Sequence, residues 1–157
     1  MKIKNPIKRA LAAVLTDAGY TWKSGSWYHA NDEVTCVINL QTEHGRAYYI
    51  NIAFWLNVLG TAEFPKENHC HIRQRAESHF SEKRIELSKL LYLETDISDA
   101  DREAALREFA KDELVPFCLK CQDLDGLRAV FDQDGFRHAF IHKDARPILM
   151  SAGDASQ

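Results

Sequence analysis

The sequence has no apolar run near the roughly 20 residues that cross a bilayer, so no membrane-spanning helix is expected. It also lacks a strong charge of either sign. A net charge of −3 and a pI of about 6.2 argue against nucleic-acid binding driven by bulk charge. Cysteines number four, Cys36, Cys70, Cys118 and Cys121. The start, MKIKNPIKRALAAVLTDAGY, resembles a signal peptide only superficially, because Arg9 and Asp17 interrupt its apolar patch. A cytoplasmic protein without disulfides is therefore expected. There is no nucleophile elbow, P-loop, HExxH motif or pair of carboxylates. That absence disfavours an enzyme, and no cofactor is expected. Repeats, low-complexity tracts and interdomain linkers are missing too. One domain over residues 1–150 is expected, followed by a small-residue tail, 151–157, that should fray.

What is present suits a soluble fold. The 157 residues are 45% hydrophobic and 27% charged, enough to bury roughly two-thirds of the surface that the unfolded chain exposes. Charge is uneven along the chain. Residues 1–80 carry nine Lys/Arg against seven Asp/Glu, and residues 81–157 carry eleven against sixteen. The first half is mildly basic and the second acidic.

An N-terminal helix is predicted from Asn5 as cap and Pro6 at the first helical position, with Ile7, Leu11, Val14, Leu15 and Ala18 on one face and Gly19 as terminator. From Ser26 the period becomes two. Strands are predicted over 26–30, 34–41 and 47–56, with turns at Asn31-Asp32 and His44-Gly45. After a loop containing Gly60 and Pro65, His69–Arg75 (HCHIRQR) reads as the next strand. LLYLET, 90–95, reads as an edge strand. Ser98 with Asp101 opens a long helix whose buried side is Leu106, Phe109, Ala110, Leu114, Phe117 and Cys121. Glu103 and Arg107 can pair on its outer side, and Pro116 should kink it or start a new segment. A last short helix is marked by Leu124, Leu127, Val130 and Phe131 and stops near Gly135. The expected fold is α+β: an N-terminal helix, an antiparallel meander of four or five strands, and a helical C-terminal half packed on the sheet.

Strand parity sorts the side chains. Even positions are apolar in the longer strands: Val34, Cys36, Ile38 and Leu40; Tyr48, Ile50, Ile52, Phe54 and Leu56; Cys70 and Ile72. These should bury against helices. Odd positions place Val37, Asn39, Gln41, Tyr49, Asn51, Ala53, Trp55, His69, His71, Arg73 and Arg75 on the other face. His29 on the first strand has the same parity. Amides, arginines and flat aromatics without Lys or Glu can form a ligand or partner face. The alternative is an ordinary amphipathic sheet whose polar residues hydrogen-bond each other and water, as antiparallel sheets commonly do. The candidate binding residues are Asn39, Gln41, Tyr49, Asn51, Trp55, His71, Arg73 and Arg75. Whether the face is open or covered decides between contact residues and an internal hydrogen-bond network.

Gly19-Tyr20, Trp27-Tyr28, Asn39-Leu40-Gln41, Asn51 within YYINIAFW, the stretch through Arg73 and Arg75, and VPF at 115–117 resemble the domain-of-unknown-function family numbered 4304. The resemblance covers most of the chain and implies a small cytoplasmic bacterial domain. It transfers no catalytic residue.

Three chemistries compete for HCHIRQR. His69 and His71, about 6.6 Å apart along a strand, could approach zinc, with Cys118 and Cys121 completing a set of four. The same face lacks a third ligand and carries Arg73, so no metal is expected. Arg73 and Arg75 could hold phosphate or nucleic acid beside Tyr49 and Trp55, and His71 could act as a hydrolase's acid or base. The favoured expectation is a non-enzymatic module, accessory or immunity-like, that binds another protein through the polar and aromatic sheet face.

Overall fold

The computed structural model describes residues 3–150. The tail expected to fray, 151–157, lies outside the described residues. Helix α1 spans Pro6–Asp17. The Asn5 side-chain oxygen accepts the N–H groups of Ile7 and Lys8 at 2.9 and 3.2 Å, satisfying donors that every helix start leaves open. Ile7, Ala10, Leu11 and Leu15 are fully buried on one face. Gly19 then takes φ +91°, and the Tyr20 N–H returns to the Leu15 carbonyl at 2.9 Å to close the helix.

Six antiparallel strands follow one another across the sheet in chain order: β1 Thr21–Lys23, β2 Ser26–Ala30, β3 Val34–Glu43, β4 Ala47–Leu56, β5 Ile72–Arg75 and β6 Phe140–Ile141. The predicted meander forms its centre. The additions, β1 and β6, are too short to show a period. Six further helices are α2 Ala76–His79, α3 Arg84–Leu90, α4 Asp99–Phe109, α5 Val115–Lys120, α6 Leu124–Asp132 and α7 Arg146–Met150. The Ser98 hydroxyl caps α4 by accepting the Asp101 N–H at 3.1 Å. Between α4 and α5, Ala110–Leu114 forms a widened π turn in which the Val115 N–H reaches back to the Ala110 carbonyl. The turn lies where the Pro116 ring would meet the carbonyl of a tighter helix, so the helix widens instead of breaking.

The main core forms where predicted. Ile38, Ile50, Ile52, Phe54, Leu56 and Ile72 on the sheet meet Leu11 and Leu15 of α1 and Leu106, Phe109, Leu114 and Phe117 of the long helix. Each such side chain contributes roughly 1.5–3 kcal/mol on burial. Outside, Glu103 pairs with both Arg107 and Arg9 at 3.0 and 2.8 Å, fastening α4 to α1.

Three expectations about the elements need correction. LLYLET is not an edge strand. Leu90 ends α3, and only Tyr92 bridges to Ala47. The Arg102 side chain gathers the carbonyls of Lys89, Leu90, Tyr92, Leu93 and Thr95, which curls the segment into a loop. HCHIRQR is a strand only from Ile72. His69 ends a 3₁₀ turn, Glu67–His69, so the alternation does not reach it. Cys70 is consequently buried against Tyr28, Val37 and Ala53 on the odd-numbered face, not in the main core. Finally, β2 swaps parity: Ser26 pairs with Asn39 and His29 with Cys36, so His29 lies on the core side.

Candidate functional site

The polar face of β3 and β4 divides into three zones. At its centre Val37, Ala53, Tyr28 and Cys70 form a small second core. The connection from β4 to β5 folds back over it, with Phe64 meeting Tyr28 edge-on at 5.2 Å between ring centres. The face is therefore half roofed. Neither a fully open sheet nor a fully covered one describes it.

At one end, Trp55, His71 and Arg73 stand together. The Trp55 ring lies 4.3 Å from the His71 ring, and its indole N–H donates to the Gly60 carbonyl at 2.8 Å. His71 accepts the Leu56 N–H on Nδ1 at 2.9 Å. Its remaining nitrogen, Nε2, then carries the proton of the neutral ring. Burial, followed by His142, holds the ring below the ordinary histidine pKa, while Asp144 opposes the shift. Arg73 donates to the Asn68 carbonyl at 2.6 Å and lies over the Phe140 ring at 4.9 Å. Trp55 and Arg73 tie the connection down through Gly60 and Asn68, while Arg73 Nε is buried without a hydrogen-bond partner among the described residues.

At the other end the strands project Asn39, Gln41, Tyr49, Asn51 and Arg75 beyond the roof. Asn39 and Asn51 are direct cross-strand partners. The amide of Asn51 donates to Asn39 Oδ1 at 3.2 Å and to Gln41 Oε1 at 3.1 Å. Asn39 in turn donates to Ser26 Oγ at 3.0 Å and to the Gly25 carbonyl at 3.3 Å. The chain of amides is rigid because three strands hold its members. It leaves Asn51 Oδ1, on a residue only 7% exposed, and Gln41 Nε2 without partners among the described residues. Arg75, opposite Asn51 in the register, stacks 3.9 Å over the Tyr49 ring.

These amides floor a groove of about 490 Å³. One wall is the β1–β2 hairpin with Lys23, Ser26 and Tyr28. The other is the connection, with Phe64, Lys66 and Glu67. Glu67 is half-buried, and desolvation raises its carboxyl pKa against the pull of Arg73 and Arg75. Burial, with Glu67 next in importance, pushes the Cys70 thiol up to about 12. That thiol is neutral and donates to the Lys66 carbonyl at 3.4 Å.

Six of the eight residues expected from parity form two separate clusters: Asn39, Gln41 and Asn51 at the groove, and Trp55, His71 and Arg73 beyond the small core. Tyr49 and Arg75 stack beside the first. The groove walls were not foreseen. Ser26 and Tyr28 could have been found from loop length. Between the pair Ala30↔Thr35 lie four residues, and an even number swaps parity, whereas three between Glu43 and Ala47 preserve it. Phe64, Lys66 and Glu67 carry no such signal because the connection has no period.

The zinc set proposed from His69, His71, Cys118 and Cys121 does not assemble. The cysteines lie in the main core, while the histidines lie on the far side of the sheet. Contact with Cys36, and then burial, raise the Cys118 pKa, and burial raises that of Cys121. Both thiols are thus kept from the thiolate form that zinc or redox chemistry uses. Among the described residues no group of three or more His, Cys, Asp or Glu side chains is arranged to hold a metal ion.

A six-stranded antiparallel sheet with helices on one face and a half-roofed polar groove on the other defines an α+β domain. The chain belongs to a family known as Domain of unknown function (DUF4304), whose sequence pattern matches residues 11–119. That span contains the whole groove. No curated protein and no solved structure matches the chain.

Proposed function

We propose that the chain is a non-enzymatic, cytoplasmic module that docks another protein on the open end of its polar sheet face. The observation that carries this reading is the unmatched donor and acceptor on the groove floor. A hydrogen bond contributes about 0.5–1.5 kcal/mol net, so a partner that pairs with the solvent-accessible Gln41 Nε2 and Asn51 Oδ1 gains affinity and register together. Tyr28 and Phe64 add apolar contact area beside them. The accessory or immunity-like role rests on analogy with other small domains of this kind. A phosphate- or nucleic-acid-binding or hydrolytic site at His71, Arg73 and Arg75 has less support. Arg73 Nη1 is held by the Asn68 carbonyl, its guanidinium lies over Phe140 and its Nε is buried away from solvent, while Arg75 stacks on Tyr49.

A photo-crosslinking residue in place of Asn68 on the groove rim, in cells of the native host, tests the proposal. One discrete protein adduct is expected, absent when the same residue replaces Ile85 on the helical side, and lost on Asn51→Leu. Adducts formed only from position 85, or none from position 68, would overturn it.

A further inference from the structure

We infer that the partner presents an acidic, extended segment to this groove. The inference rests on the protein-binding reading above and adds the chemistry of the partner. Lys23 and Lys66 stand on opposite walls of the groove, and Arg75 stands beside its floor, next to Asn51. None of the three makes a salt bridge among the described residues. Lys23 lies 5.2 Å over the Phe64 ring, and Arg75 lies over Tyr49. An aromatic face thus holds Lys23 in place without neutralising it, whereas Arg75 also interacts with Glu67 and Glu77. Some exposed cations elsewhere pair with carboxylates, as in Arg46–Glu94, Lys83–Glu113 and Arg107–Glu103. Others, such as Lys89 and Lys111, make no salt bridge among the described residues. What sets Lys23 and Lys66 apart is that both line one groove. Of the carboxylates near this face, Glu43 accepts from the Tyr49 hydroxyl at 3.0 Å. Glu67 is the groove's own acid, and it makes no salt bridge with Lys23 or Lys66 among the described residues.

The floor specifies the rest. Gln41 Nε2 offers a donor and Asn51 Oδ1 an acceptor, the complement of a peptide group's C=O and N–H. A volume of about 490 Å³ between two walls admits a short extended stretch. A helix, some 10–12 Å across with its side chains, would have to rest on the rims. Carboxylates flanking the seated peptide group then reach Lys23 and Lys66 on the two sides.

Amide NMR shifts of the full chain test this. The probes are a short oligoglutamate, a neutral Ser/Gly peptide of equal length, and an oligothymidylate of equal charge. Oligoglutamate is expected to move Gln41, Asn51 and Lys66. Its affinity should fall about tenfold in Lys23→Glu/Lys66→Glu and rise severalfold in Glu67→Gln, as charge complementarity requires. The substituted lysines are exposed, so the double variant keeps its fold, which its unshifted core resonances would verify. No movement with oligoglutamate, or equal affinity in the double variant, overturns the inference. Groove shifts with the Ser/Gly peptide alone overturn the acidic partner and leave the protein-binding reading standing. Tighter binding of oligothymidylate overturns both. Concentration-dependent groove shifts without any probe would assign the groove to a second copy of this chain and overturn the inference as well.

Discussion

Arg102 carries more of the structure than its sequence neighbourhood suggests. Between Asp101 and Glu103 on a helix it reads as a surface residue, yet it is 1% exposed. Its two terminal nitrogens donate to five backbone carbonyls across residues 89–95, including that of Tyr92 at 3.0 Å and that of Thr95 at 3.1 Å. Carbonyl dipoles replace a carboxylate as the compensation for a buried charge. Arg102→Met should therefore cost about 3 kcal/mol or more by stranding those acceptors. Arg102→Lys should recover only part, because an ammonium has three donors and no planar fork. Urea midpoints of the two variants check this. A Met variant within about 0.5 kcal/mol of wild type would refute it. The groove residues were more legible: Asn39, Gln41 and Asn51 share a parity that the alternation exposes directly. Lys66 and Glu67 were not, since an irregular connection places side chains by its path alone.

At the scale of elements, the outcome turns on where regular structure starts and stops. The ends of α1 were readable because capping is local chemistry. Gly19 at φ +91° is the clearest case. A Cβ there would lie 3.6 Å from the His29 ring, an ordinary contact, so the cost of Gly19→Ala is purely conformational. It should destabilise by about 1–2 kcal/mol, measured as a shift in urea midpoint, and leave the groove resonances in place. Strand β5 shows the opposite case. HCHIRQR has the alternation of a strand throughout, but the connection must first cross the polar face. Extended pairing therefore begins only at Ile72, and His69 and Cys70 leave the pattern. The π turn before Pro116 lies between these cases: proline announces a disturbance, and packing on both sides decides that the helix continues.

Across the whole molecule, buried ionisable groups set opposing responses to pH. His71 and His79 have pKa values lowered mainly by burial, so their contribution to stability is present above the ordinary histidine range and is lost as pH falls through the lowered values. Glu67 and Glu77 have raised values, also mainly from burial. Their contribution is present below the ordinary carboxylate range and is lost as pH rises through the raised values. Acidification thus relieves the glutamates while it penalises the histidines. Removing one relief by Glu77→Gln should make stability fall more steeply than in the wild type as pH drops toward the ordinary carboxylate range. A parallel or shallower fall in urea midpoint would contradict this. The sequence by itself determined the α+β class, the order of the central strands, the apolar face that helices cover and the amide row on the opposite face. These follow from period, capping and turn residues, all of which act over a few residues. Only the tertiary structure decided that the polar face is half roofed, that Trp55 and His71 are separated from Asn51, and that Lys23 and Lys66 face each other across a groove. Those outcomes depend on the return of an aperiodic segment over a distant strand, a choice made by packing and not by any local preference.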